Sequence, residues 1–177
     1  MNKSKAILEK QLKSTKKQSN LYHDEVIERK VVLPYKYLGS NLVEQLERNI
    51  TKNYEGKCIK EGYIKKGSCS IITYTYGYID ASNVTFHVMF NAEVCYPYED
   101  MRLSCIVENI TKIGIKAIVS NHENPIVVFI SREHNLNTGE EFDIDGYEEG
   151  DTINIKVIGH RFEINDEYIS VLGEIIV

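Results

Sequence analysis

The chain has 177 residues, 42% hydrophobic and 27% charged, with a net charge of −5; that length suits one large domain or two small ones. No apolar run approaches the ~18 residues a membrane helix needs, and the polar, Lys-rich start has no signal-peptide pattern. Residues 1–98 carry 15 Lys and Arg against 10 Asp and Glu, whereas residues 99–177 carry 6 against 16; a generic nucleic-acid binder is more basic than this, so any RNA or DNA contact is expected to be local, weak or borrowed from a partner.

Residues 1–22 hold scattered lysines, serines and glutamines and read as a flexible tail, with a partner- or phosphate-docking arm as the other reading. Glu25–Leu33 predicts a strand ended by Pro34, followed by a turn-rich connector to Asn41. A helix follows, with Leu42, Leu46 and Ile50 on one face, Asn41 and Glu44 spaced as a capping box, and Glu44 and Arg48 as an i, i+4 pair. It should end near Asn53, before Gly56. Gly56–Gly67 predicts short strands joined by exposed turns. Its Gly62–Gly67 spacing mimics a phosphate loop, but Ser68 stands where that loop needs lysine and no helix pattern follows.

Ser68–Tyr76 predicts another strand, and Gly77–Asn83 a turn. Val84–Tyr96 is apolar at every second position, the signature of a long strand with one buried face. Pro97 ends it. Five further strands are predicted: Met101–Ile110, Ile115–Val119, Ile126–Ile130, Asp151–Phe162 and Tyr168–Val177, with an acidic connection over 133–150. Five strands with one long connection between the third and fourth suit a small OB-type Greek-key barrel. The expected fold is therefore α+β, mostly β: a tail at 1–22, a strand-and-helix domain at 23–98 and a five-stranded barrel at 99–177.

Cys58, Cys69, Cys95 and Cys105 form no C-x-x-C and are expected as reduced thiols in an intracellular, reducing compartment. The scattered histidines and the acids of 140–151 match no catalytic, zinc or calcium spacing, so no catalysis, cofactor or metal is expected.

The order of these parts resembles the stalk component of multisubunit DNA-directed RNA polymerases, the family of the seventh-largest subunit of RNA polymerase II and its archaeal counterpart. The resemblance rests on Leu33–Leu42, Tyr54–Cys58, Gly62–Ile64, Val84–Val94, Phe129–Ser131 and Gly150–Gly159, in order, from about His23 to the C-terminus. It implies a tip domain that docks on the polymerase core and an OB barrel of the RNA-binding type. It also implies a companion stalk subunit, of the kind of the fourth-largest polymerase II subunit or its archaeal counterpart. It leaves the first twenty residues uncovered, and the acidity of residues 99–177 departs from an RNA-binding surface. The Lys-, Asn-, Ile- and Tyr-rich composition suits an AT-rich gene, as in a large DNA virus. The implied location is the nucleus or, for a virus, the host cytoplasm and virion.

Two sets of site residues follow. Docking on the polymerase core is expected at Lys60, Glu61, Gly62 and Tyr63, taken as an exposed aromatic turn, with Tyr35, Tyr37 and Gly39 nearby. Weak single-stranded RNA contact is expected on the barrel through Lys112, Lys116, His122, Phe129, Arg132, His134 and Arg161, since OB barrels hold single strands by stacking and backbone-tracking cations. Phe129 could equally be core. The alternative function is a free-standing single-stranded RNA-binding module in translation or RNA decay.

Overall fold

A computed structural model of the chain describes residues 21–120, 124–132 and 146–176. Most of the expected tail, His122, His134 and much of the acidic connection lie outside the described residues. Among those residues no helix is long and apolar enough to cross a membrane. The chain divides into two compact units: Tyr22–Tyr96 with Phe162–Tyr168, and Pro97–Arg161 with Ile169–Val177.

The first unit runs β1 (Tyr22–Pro34), a 3-10 turn (Tyr35–Tyr37), α1 (Leu42–Tyr54), β2 (Cys58–Ile59), β3 (Gly62–Ile64), β4 (Ser70–Tyr74), β5 (Tyr78–Asp80) and β6 (Asn83–Cys95). β6 is the spine. One edge pairs antiparallel with β1 along its whole length, from Tyr22 opposite Cys95 to Pro34 opposite Asn83. The other edge is shared by β5, β4 and β3 in turn, with β2 outside β3. Val84, Phe86, Val88, Phe90, Ala92 and Val94 form the buried face and pack with Ile27, Val31 and Leu33 of β1 and Leu46 and Ile50 of α1. Alternation at period two places these side chains together, and the helical spacing of Leu46 and Ile50 turns α1 onto them.

The structure corrects several expectations. Asn41 stands at the N-cap but makes no side-chain cap hydrogen bond, so the capping box does not form; Glu44 engages Arg48 instead. Residues 78–80, expected within a turn, form β5, because the β6 edge near Asn83–Thr85 needs a hydrogen-bonding partner. Cys95, which falls between the apolar positions of the alternating run, is buried, and Tyr96, expected within the strand, lies beyond its end. Tyr22, counted with the tail, opens β1.

Phe162–Tyr168 joins the first unit through backbone bonds. The Cys58 N–H donates to the Asp166 carbonyl at 2.7 Å, and the Asn165 N–H donates to the Cys58 carbonyl at 2.8 Å. Asn165-Asp166, a turn-forming pair between the last two strands of the sequence, makes that turn: Asn165 has φ 75°, and the Glu163 N–H donates to Asp166 Oδ2 at 2.7 Å.

The second unit is a closed barrel of β7 (Arg102–Ile110), β8 (Gly114–Val119), β9 (Ile126–Ser131), β10 (Thr152–Arg161) and β11 (Ile169–Ile175). Its order is β7-β8-β9-β11-β10 and back to β7, with β9 and β11 parallel and the other pairs antiparallel. That is the OB arrangement, a sheet closed on itself. Leu103, Cys105, Ile115, Val128, Ile130, Ile155 and Val171 are among the side chains filling the interior. The fold is thus α+β and mostly β, a strand-and-helix unit followed by an OB barrel.

Candidate docking and nucleic-acid surfaces

The expected docking residues fall into two groups at opposite ends of β6. Pro34 ends β1, and the 3-10 turn follows. The Tyr35 N–H donates to the Ser82 carbonyl at 2.9 Å, which ties this turn to the β5–β6 connection. Tyr35 and Tyr37 are exposed, and the Lys36 ammonium lies 5.0 Å from the Tyr37 ring centre. Gly39 follows in the short connection to α1.

Lys60–Tyr63 lies at the other end, where Tyr63 pairs with both Cys58 and Cys95. The span of β6 puts the two groups up to roughly 40 Å apart, at ~3.3 Å per residue, so Tyr35, Tyr37 and Gly39 are not near Lys60–Tyr63. Nor is Tyr63 the exposed aromatic expected: only 8% of it is accessible. Its hydroxyl pKa is raised, first by burial and then by Cys58, Cys95 and Glu167. Glu61 is held by Arg29, which also lies 6.0 Å from the Tyr54 ring centre. Gly62 has φ 138°, and a Cβ there would lie 2.5 Å from the Cys95 carbonyl oxygen. The glycine lets β3 close on β6. Lys60 alone of this group is exposed.

The Tyr35 end carries further residues that no motif singles out. Tyr76, Tyr78 and Ile79, at and before β5, are exposed, Tyr78 by 73%. Together with Tyr35 and Tyr37 they give this end of the unit a dense set of exposed aromatic and aliphatic groups. The sequence holds a signal for them, since Tyr74, Tyr76 and Tyr78 flank Gly77, but part of it falls in a stretch that reads as a turn.

On the barrel, Phe129 is on the outer surface. Val128 and Ile130 point inward and are buried, while Phe129 is 43% exposed. The register aligns it in a row across four strands, Lys116–Phe129–Leu172–Gly159, beside a second row of Ile118–Val127–Ser170–Arg161. Lys116, Phe129 and Arg161 therefore share one outer face. Lys116, one of the expected RNA-contacting cations, has its ammonium 2.7 Å from Glu108. Lys112 and Arg132 lie elsewhere on the barrel: the Arg132 N–H donates to the Ile113 carbonyl at 3.1 Å, next to Lys112 in the β7–β8 turn.

A notch of about 360 Å³ opens on this outer face, lined by Phe129, Gly159, His160, Arg161, Ser170, Val171 and Leu172. Of these, Phe129 and Arg161 are the two that the sequence marks as site residues. Gly159, in that lining, follows a register shift between Val157 and Gly159 in the β10–β11 pairing, which no periodicity reveals.

The four cysteines are free thiols, Cys58, Cys95 and Cys105 buried and Cys69 partly so. Burial pushes each thiol up to about 12. Thiols kept protonated in this way are poor nucleophiles and metal ligands.

The described residues thus form a closed OB barrel with Phe129 exposed on its outer face, and a strand-and-helix unit with exposed tyrosines at one end. No family model matches the chain. It is 23% identical over 172 residues to a protein of Acanthamoeba polyphaga mimivirus provisionally named a DNA-directed RNA polymerase subunit, covering 90% of this chain and 84% of that one. It is 26% identical over 172 residues to DNA-directed RNA polymerase II subunit 7 of Arabidopsis thaliana, covering 84% of this chain and 95% of that one. The resemblance read from the motifs is thus matched along most of the chain by similarity to RNA polymerase II subunit 7 and to a viral protein named as a polymerase subunit.

Proposed function

We propose that the chain is a non-catalytic stalk subunit of a DNA-directed RNA polymerase. The observation that carries this reading is the extent of the likeness: the relatives align with 84–90% of the chain, too much for a shared barrel alone. In this proposal the first unit docks on the polymerase core and the barrel contacts the emerging transcript weakly. A companion stalk subunit, of the fourth-largest kind or its archaeal counterpart, joins it. The working location is wherever that polymerase acts, the nucleus or an infected cell's cytoplasm.

The geometry favours the Tyr35 end for docking over the Lys60 end. Tyrosine is enriched at interface hot spots, because it buries a large area while ordering few torsions. Tyr35, Tyr37 and Tyr78 are exposed, whereas Glu61, Gly62 and Tyr63 have structural duties. The test is affinity purification of the tagged chain from its native source. Large polymerase subunits should co-purify, and Tyr35→Ala with Tyr78→Ala should abolish this without lowering the melting temperature. Lys60→Ala should leave it intact. Purification without polymerase subunits, with tight RNA binding by the chain alone, would favour the free-standing RNA-binding module.

A further inference from the structure

We propose that the notch between Phe129 and Gly159 seats one unpaired nucleobase of single-stranded RNA, with the base stacked on Phe129 and the adjoining backbone beside Arg161. This rests on the reading of the barrel as an RNA-contacting surface, and narrows it to a single subsite.

The first argument is steric. Two other glycines in the barrel strands leave little room: a Cβ at Gly114 would lie 2.1 Å from the Ile130 carbonyl oxygen, and one at Gly173 would lie 3.0 Å from Ile155 Cδ1. At Gly159 a Cβ would meet nothing within 4 Å, and its backbone is not in the left-handed region. Neither packing nor conformation demands glycine here. What its missing side chain leaves is open space, at a register shift in β10. Bare glycine at a bulge is where another molecule can approach a strand closely.

The second argument is chemical. The notch has a phenyl wall, Phe129, with Leu172 and Gly159 of the same row and the imidazole-bearing His160 also in its lining. At about 360 Å³ it lies at the small end of the range of ligand sites. That suits a single flat ring and excludes a helix. Ser170, one row over, supplies a hydroxyl that can meet the polar edge of a base, and Arg161 stands opposite Ser170. An aromatic face flanked by a guanidinium is complementary to a base and its phosphate together. Lys116 closes the row at the other end, and Arg161 lines the notch itself, the cation nearest a base seated there. A site with one phenyl ring and one guanidinium binds weakly, in keeping with an acidic barrel half.

The experiment titrates the full chain, at low salt and up to millimolar concentration, into a short single-stranded RNA carrying one 2-aminopurine. Anisotropy reports binding anywhere on the chain, and 2-aminopurine fluorescence reports stacking. The wild-type chain should bind and quench the fluorophore. Gly159→Leu, which fills the notch, should abolish quenching and weaken binding about tenfold. Phe129→Ala should do the same, and being exposed it serves if Gly159→Leu fails to fold. If both folded variants bind and quench like wild type, the notch is not the base site while RNA contact stands. If the wild-type chain binds no RNA at all, the reading of the barrel fails and the notch proposal fails with it.

Discussion

Single residues in this chain carry conformational and electrostatic duties that composition hides. Gly62 combines a φ of 138° with a backbone oxygen where a Cβ would sit. Gly62→Ala should therefore cost on the order of 1–3 kcal/mol from backbone strain alone, read as a lower midpoint in urea. The buried thiols offer a second check. Cys105 is raised from 9.0 to about 12 by burial only. The folded state thus keeps a proton that the unfolded chain releases, so this contribution is complete below pH 9 and is lost as pH rises toward 12. Melting temperature should fall through that window, and Cys105→Ala should make the fall shallower, whatever it does to stability at pH 7. Residue duties are the least legible part of the sequence. Lys60–Tyr63 reads as a glycine-flanked exposed turn because nothing local reveals that β3 closes on β6 and buries Tyr63. Phe129 is undecidable from sequence because Val-Val-Phe-Ile has no period, and only the barrel's inside and outside assign it.

Elements are more legible than residues, for a physical reason. Where one face is buried, alternation is forced, and β6 and the barrel strands display it directly. α1 shows its face through Leu46 and Ile50, both fully buried against the sheet. Leu46→Ala should cost about 2–5 kcal/mol, the range for deleting a buried leucine side chain. An effect below about 1 kcal/mol in chemical unfolding would mean that α1 is not part of this core. The short strands are harder. β5 has all three residues exposed and no pattern to read, and exists because it satisfies one end of the β6 edge. The pairing of Phe162–Tyr168 with the first unit is invisible in the same way, since its bonds to Cys58 join positions more than a hundred residues apart.

At the scale of the whole molecule, charge decides how the proposed RNA contact could work. The second half carries 6 basic against 16 acidic side chains. The described candidates for phosphate contact are Lys112, Lys116, Arg132 and Arg161, and Lys116 must leave Glu108 to take part. Single strands release counterions with a slope of about −0.7 per phosphate neutralised, so four contacts set a limit of about −3 in log affinity against log salt. The isolated chain should therefore bind RNA weakly and lose only modest affinity with added salt. Docked on a polymerase, the same barrel would meet a tethered transcript at high effective concentration, which compensates for weak intrinsic binding. Crosslinking of the transcript to the barrel should then survive salt in the assembled enzyme better than binding by the free chain does. A slope of about −5 or steeper for the free chain would mean that many more cations engage RNA than this surface presents, and would move the protein from polymerase component toward independent RNA binder.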